Sequence, residues 1–416
     1  MKQDLVAGVD LGTTKVCALI GQVGPEDEVE ILGVGLAPSH GLRKGIVVDI
    51  SKSAESIIEA VEKAEKMSGF SINSVYVGVT GGHISSRVNH SIVSISPPRY
   101  EITEQDRGRA ISICSKVDLP DDQEVIHTVP RAYVVDGQRG ILNPVGMSAT
   151  RLEVETNIIT GSVTSLKNVI KSFTTAGIEV TDLVLESLAS SYAVLTESEK
   201  SGAILLDMGG GTTDVAIFRN YALLDTFCLP VGGNHITNDI SIGLRIPLEE
   251  AERVKIEHGR VDKEDIDPAD FFEIKDNWGE SKAVLTSFLA GIIEIRVREI
   301  LNLIKREIER EGPLDFLPRV VVTGGSSLLR GVVELSGEVF DMPSRIGVPL
   351  RVSGLVDRVT QPIYATGVGL LTYGRNHQLE VESRRREEPL LSFLVNRVRN
   401  WFSGLRMSSE RGGPNW

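Results

Sequence analysis

At about 150 residues per folding unit, a chain of 416 residues holds two or three units and can bury a large core. Hydrophobic residues make up 41% and charged residues 24%, an ordinary globular balance, while the formal net charge of −13 argues against a nucleic-acid partner, which needs a cationic surface. Three cysteines (Cys17, Cys114, Cys228), an odd number without CxxC spacing, indicate neither a disulfide framework nor a structural zinc site and fit a reducing compartment.

The apolar run near the amino terminus is cut by Asp10 and lacks the pattern of a signal peptide, so no export is expected. No apolar stretch reaches the roughly 18 residues of a spanning helix, so any membrane contact should be peripheral. Residues 5 to 10 and 14 to 21 read as strands around a Gly-Thr-Thr turn, with a third strand from Val29 to Leu36. Ile57, Ile58, Val61 and Ala64 recur at helical spacing between Ser51 and Met67, ahead of Gly69, and Val75 to Thr80 reads as a buried strand. Residues 84 to 162 change character. Ile84 to Ile95 alternates, Thr103 with Asp106 three residues on can cap a helix to Lys116, and strands follow near 124 to 136 and 151 to 160. This reads as a small α+β subdomain inserted into a first domain formed by 1–83 and 163–200. Two helical patterns between 165 and 195 flank Gly177 and a strand over 179 to 185.

The next segment repeats the opening. Ala203 to Phe218 shows the same apolar strand, aspartate, glycine, Thr-Thr and second strand as Val6 to Ile20, so the chain reads as a duplication with two related domains facing a cleft. The second domain, 201–375, continues with a strand from Leu223 to Leu229 and helical patterns from 235 to 311. A buried strand at Arg319 to Thr323 then turns into a helix, and a last helical stretch from Pro362 to Tyr373 carries the small residues Ala365, Gly367 and Gly369. Residues 376–389 are charged and lack periodicity, and read as a flexible linker.

Hairpin turns of small residues can point backbone N–H groups into one concavity and so hold phosphate without a P-loop. Gly12, Thr13 and Thr14 form one such turn, and Gly209, Gly210, Gly211, Thr212 and Thr213 the other. Glycine allows close approach, Asp10 and Asp207 offer carboxylate oxygens to magnesium or its waters, and Lys15 can neutralise phosphate charge. Two copies of the turn would clamp a polyphosphate from both sides.

In this order the motifs resemble the actin, sugar kinase and Hsp70 ATPase superfamily, which implies an α/β, duplicated two-domain fold binding ATP and Mg2+ in the cleft. Asp10 to Lys15 is similar to its first phosphate loop, Asp207 to Asp214 to its second, and Thr323-Gly324-Gly325-Ser326 to its adenosine loop. Glu186 to Tyr192 and Tyr364 to Gly369 resemble the two connecting helices. The resemblance of Ala251 to Lys255 adds Glu252 and Lys255 near ribose and adenine. Glu186 occupies the place where relatives carry a water-positioning residue, and Asp214 is the other catalytic candidate; a slow ATPase is the most this implies.

From Leu390 to Arg406, Leu391, Leu394, Val395, Val398, Trp401, Phe402 and Leu405 fall on one helical face, beside Arg397, Arg399 and Arg406 and without an acidic residue. This is the composition of a helix lying in the plane of an anionic membrane, where each nearby Arg contributes about 1 kcal/mol. One such helix attaches reversibly, and a filament carrying many raises the avidity. The tail 407–416 has no assigned role.

An actin-like body with this insertion and such a terminal helix resembles the FtsA family of bacterial cell-division proteins. That resemblance implies a cytoplasmic, peripheral membrane protein at the midcell division site. It would self-assemble into actin-like filaments and tether the tail of FtsZ, which docks on the small subdomain of the second half, here about 235–305. There a helix from Ile292 to Glu309 should bury Ile293, Val297, Ile300, Ile304 and Ile308 and leave Arg296, Arg298, Glu299, Lys305 and Arg306 outside. The alternative is a PilM-like pilus assembly platform, and less so a small-molecule kinase, for which no acceptor pocket is evident. An MreB-like filament is disfavoured by the position of the insertion, and an Hsp70-like chaperone by the short stretch after Gly374.

Overall fold

The computed structural model describes residues 5–24, 28–96, 100–262, 266–275, 279–311 and 318–387. Strands β1 (Leu5–Leu11), β2 (Lys15–Val23) and β3 (Val29–Pro38) form an antiparallel meander, followed by the short β4 (Leu42–Arg43) and β5 (Ile46–Val47). Helix α1 (Ile50–Ser68) starts where the Asp49 carboxylate accepts the Lys52 N–H and stops at Gly69, whose φ of 76° suits glycine. It lies flat on β3: a Cβ on Gly35 would stand 1.8 Å from the Ala60 carbonyl oxygen. Ile57, Ala60, Val61 and Ala64 are buried there, but Ile58 is exposed, because the seam against β3 is narrower than the apolar stripe. Strand β6 (Ser74–Val79) then pairs in parallel with β1.

The insertion follows as β7 (Ser85–Ser94), α2 (Glu104–Cys114), β8 (Gln123–Val135), β9 (Gln138–Ile141) and β10 (Arg151–Ser162), with sheet order β7-β10-β8-β9. Thr103 and Asp106 make the expected reciprocal cap of α2, which ends at Cys114, short of Lys116. The chain returns through α3 (Val163–Thr175), β11 (Glu179–Leu185) and α4 (Glu186–Val194).

The second half opens with the meander β12 (Gly202–Met208), β13 (Thr213–Arg219) and β14 (Ala222–Leu229), then α5 (Gly233–Leu244) and α6 (Leu248–His258). The helical expectation for 235–311 is interrupted by a hairpin, β15 (Phe271–Lys275) and β16 (Ser281–Leu285), in which Phe272, Ile274 and Val284 are buried while Phe271 and Leu285 face out. Helix α7 (Thr286–Glu311) starts before Ile292 and buries Ile293, Val297, Ile300, Ile304 and Ile308. Each such side chain contributes about 1.5–3 kcal/mol on leaving water. Of the charges on this helix, Arg296 forks onto Asp239, Arg298 pairs with Glu294 and Glu338, and Lys305 donates to the Val339 carbonyl.

Strand β17 (Val320–Thr323) leads through a single 3-10 turn, Gly325–Leu328, into α8 (Val332–Phe340), and β18 (Ser344–Ile346) follows. Strand β19 (Val352–Gly354) crosses back to pair with β3, ahead of α9 (Val356–Val359) and α10 (Ala365–Glu387). The backbone of α10 thus continues through residues 376–387, where the sequence pattern suggested a linker. A charged stretch rich in Glu, Arg and Gln can stay helical without an apolar stripe. The remainder of that expected linker and the whole expected membrane helix (Leu391, Leu394, Arg397, Val398, Arg399, Trp401, Phe402 and Leu405) lie outside the described residues.

The two large sheets have the same plan. The first runs β11-β6-β1-β2-β3-β19 and the second β14-β13-β12-β17-β18; in each an antiparallel meander adds two parallel strands beside its first strand. Helices α4 and α10 cross between them. One apolar cluster runs from Leu19 on β2 through Ala189 and Val368 on these helices to Leu205 on β12, so the floor of the cleft is a continuous core.

Candidate functional site

Asp10 and Asp207 sit near the carboxyl ends of β1 and β12, the edge at which open α/β sheets bind ligands. The turns beyond them meet across the cleft: a Cβ on Gly210 would lie 2.4 Å from Thr14 Cγ2, and one on Gly211 would lie 2.4 Å from Thr13 Oγ1. Only bare backbone fits there. Asp10, Gly12, Thr13, Thr14, Lys15, Glu186, Asp207, Gly209, Gly210, Thr212, Asp214, Gly324 and Gly325 line one cavity, joined by Thr80, Pro362, Ile363 and Thr366. Gly211 instead lines a separate cavity with Thr13, Arg43 and His235. Thr213 is turned away, its hydroxyl donating to the Val231 carbonyl at 2.8 Å.

Among the described residues lining this cavity, Lys15 is the only cation, and its Nζ lies 3.0 Å from Asp10 Oδ2. Burial opposes the lysine charge, but the Asp10 carboxylate outweighs it and holds the ammonium above its usual range. Asp207 accepts from Ser190 Oγ at 2.5 Å and Thr366 Oγ1 at 3.2 Å, one hydroxyl from each connecting helix; burial still raises its pKa. Asp214 takes the Thr80 hydroxyl from across the cleft, and burial pushes it up to about 7. Glu186 opens α4 with Oε1 buried and without a hydrogen-bond partner. Burial, then the Asp10, Asp214 and Asp207 carboxylates, raise it well above the usual range.

Glu252, Lys255 and Ser326 do not line the cavity. They form an adjoining network behind the second turn: Lys255 Nζ donates to Glu252 Oε2 at 2.7 Å and Thr237 Oγ1 at 2.8 Å, and Ser326 Oγ to the Gly209 carbonyl at 3.0 Å. Glu252 and Lys255, three residues apart on α6, thus meet each other and fix the start of α5. Thr80, Ser190 and Thr366 are cleft residues that motif reasoning missed; lone hydroxyls in a strand or helix carry no local signal.

The donor set suits a magnesium-bound polyphosphate better than a bare ion. Among the described residues no three His, Cys, Asp or Glu side chains converge as metal ligands, whereas Mg2+ typically keeps several waters and takes one or two carboxylates plus phosphate oxygens. The glycine backbone supplies the close approach, and a cation arriving among four buried carboxyl groups would relieve their mutual repulsion.

A family model described as "Cell division protein FtsA" matches residues 204–369, and one described as "SHS2 domain inserted in FTSA" matches residues 81–160. A "Cell division protein FtsA" from Pseudomonas aeruginosa is 40% identical over 410 residues, 96% of this chain and 98% of its own length. The chain belongs to the FtsA family of cell-division proteins. FtsA proteins of Escherichia coli (35% identical, covering 95% of this chain and 97% of their own) and Bacillus subtilis (37% identical, covering 91% and 85%) agree.

The actin-like fold of this FtsA-family member is shared more widely. A protein from a "PilM-PilN type IV pilus biogenesis complex" aligns with a TM-score of 0.63 at 15% identity, over 89% of this chain and 98% of its own. MreB5 of Spiroplasma citri bound to ADP aligns with a TM-score of 0.53 at 16% identity, over 91% and 98%. These likenesses show the fold alone. The pilus-platform and MreB alternatives therefore have architecture in their favour but not the family.

Proposed function

We propose that this FtsA-family chain binds ATP with Mg2+ between its twin turns and polymerises on the cytoplasmic face of the membrane at midcell. There it tethers FtsZ filaments through the amphipathic segment 390–406. The observation that carries the nucleotide part is the convergence of two duplicated Asp-Gly-Thr turns on one cavity, close enough that a single added carbon would collide. Lys15 would pair with phosphate oxygens, Asp10 and Asp207 would hold the ion through its waters, and Glu252 and Lys255 would set the adenosine end from behind the second turn. Bound ATP offers a γ-phosphoryl group that water can attack in line. Glu186 and Asp214 would orient that water, but with burial raising both carboxyl groups each holds a proton readily while no metal ion is near. Turnover should therefore be slow and depend on the metal. That an MreB5 structure carries ADP supports a nucleotide in this cleft by analogy of fold.

The membrane part rests on composition: aromatic and aliphatic residues on one face, arginines beside them, and no helix among the described residues long and apolar enough to cross a bilayer. Co-sedimentation with anionic liposomes, with and without ATP and an FtsZ carboxy-terminal peptide, tests the whole reading. Deleting residues 389–416 should abolish vesicle binding and leave ATP affinity unchanged. Sedimentation that persists rejects the anchor, and loss of ATP binding in the same variant rejects the separation of the two roles.

A further inference from the structure

Among the described residues strand β11 is an edge of the first sheet, paired only with β6, so its outward N–H groups need partners elsewhere. At Leu185, the last residue before Glu186, that partner comes from the insertion: His127 on β8 accepts the Leu185 N–H at its ring Nε2, at 3.0 Å. An imidazole accepting there is neutral with its proton on Nδ1. The ring is buried, which pushes its pKa down to about 4, against the opposing pull of the Asp182 carboxylate. Its edge meets Tyr373 of α10, with ring centroids 5.9 Å apart, and the Tyr373 hydroxyl donates to Asp182 on β11 at 2.8 Å. One imidazole of the insertion thus touches the cap of one connecting helix and the body of the other. A second tie reaches the other domain: buried Asn157 on β10 donates to the carbonyls of Leu223 and Leu224 on β14, at 2.6 and 2.9 Å.

We propose that His127 is a positioning residue through which the inserted subdomain sets the placement of Glu186 in the cleft, and through which a change in the cleft is felt by that subdomain. The second half of this rests on the nucleotide reading above. The physical link is short. The hydrogen bond fixes the backbone at the β11–α4 junction, and Glu186 is the next residue along; its carboxyl has an unpartnered oxygen and so no other described bond holding that atom. Shifting β8 against β11 would break the bond or drag the junction with it.

The test uses the full chain and hydrogen exchange read by mass spectrometry. In nucleotide-free protein, His127→Phe should speed exchange of the Leu185 amide about tenfold, the scale of one lost hydrogen bond, while His127→Gln, whose side-chain carbonyl can accept, should restore most of the protection. With ATP and magnesium, wild type should change protection across 123–135, and His127→Phe should lose that change while ATP affinity by calorimetry stays within about threefold. Equal Leu185 exchange in all three proteins overturns the positioning role. An ATP response at 123–135 unaltered by His127→Phe overturns the transmission. A wild type that binds no ATP instead rejects the nucleotide reading, and the Leu185 exchange still decides the hydrogen bond. Should His127→Phe not fold, nitrogen NMR of wild type decides: a Nδ1–H tautomer supports the bond, and a protonated Nε2 overturns it.

Discussion

Replacing Gly210 by alanine is the sharpest test of the cleft. The added Cβ would lie 2.4 Å from Thr14 Cγ2 and 2.9 Å from Thr14 Oγ1. Ordinary carbon contacts are about 3.5–4.0 Å, so the two turns must part by roughly 1 Å or the second turn must rotate its N–H groups away from the cavity. Either movement lengthens the bonds that N–H groups would make to phosphate oxygens, and hydrogen bonds to charged groups contribute about 1.5–3 kcal/mol each. Losing the equivalent of one predicts about 10- to 100-fold weaker ATP binding in isothermal titration with magnesium. Thr14→Ala separates two causes, because it removes both Thr14 atoms nearest the new carbon. If Gly210 matters for ligand approach, adding Gly210→Ala to Thr14→Ala still costs affinity relative to Thr14→Ala alone; if it matters only for contact between the turns, the second substitution costs nothing. Affinity within about twofold of wild type in the single variant refutes the role of the second turn in phosphate binding.

Asp214 and Glu186 have carboxyl groups raised in the folded protein, so they favour the fold most when protonated. Their contribution is complete below the ordinary carboxylate range and is lost as pH rises, for Asp214 through about 7. Without nucleotide, wild type should thus lose melting temperature between pH 5 and 8, and Asp214→Asn should flatten that profile; a steeper loss in the variant contradicts the assignment. Binding of magnesium and ATP should release protons from the same groups, seen as a calorimetric heat that varies with the ionisation enthalpy of the buffer. At Gly369 an added Cβ would stand 1.8 Å from the Ala189 carbonyl oxygen. Gly369→Ala should therefore force α10 off α4 and cost about 1–3 kcal/mol in chemical denaturation, and no loss would show that the helices do not cross so closely. Buried Glu199 accepts from Arg345 and Arg319 and, although burial opposes its charge, the Arg345 hydrogen bonds hold it down at about 2. Glu199→Gln weakens these charge-assisted bonds but leaves the partly exposed guanidinium groups access to water, so it should cost about 1.5 kcal/mol, and an unchanged urea midpoint would show the pair to be dispensable.

Much of the fold was legible because its signals are local. Each strand of the two meanders, the cap at Thr103, the stop at Gly69 and the aspartate-glycine turns announce themselves within a dozen residues. What was not legible depends on contacts between distant segments. Residues 271–275 alternate exposed and buried positions, but in 281–285 only Val284 is buried, so the hairpin is too weakly patterned to stand out from the longer helical pattern around it. Strand β19 is three residues long and joins the first sheet only because β3 offers an edge. Ile58 fits an apolar stripe and still faces water, since the width of the seam is decided by Gly33 and Gly35 on β3, which let α1 approach. In the site, paired aspartates and glycines could be read from the repeat. Thr80, Ser190 and Thr366 could not, because each acts on a carboxyl group remote in sequence.

These hydroxyls also show how the cleft holds together. Asp207 belongs to the second sheet, yet it accepts from Ser190 on α4 and Thr366 on α10, and those two hydroxyls lie 3.1 Å apart. At the backbone crossing, Gly369 and Ala189 leave no room for either helix to slide toward the other. The pivot is therefore close-packed and hydrogen-bonded, while the mouth is held by threonine side chains touching glycine backbone and by the Thr80 hydroxyl, which meets Asp214 and Cys228. Close-packed cores resist shear far more than two small turns resist separation. For a triphosphate to enter between Thr14 and Gly210 the turns must part, and the motion of least cost is rotation about the α4–α10 crossing rather than translation of one domain. Such a rotation would carry Asp214 away from Thr80 and leave Asp207 with both of its hydroxyl partners. The two aspartates of the second turn should thus respond oppositely to opening: Asp214 gains solvent and becomes an ordinary acid, and Asp207 stays where it is, fixed to the hinge.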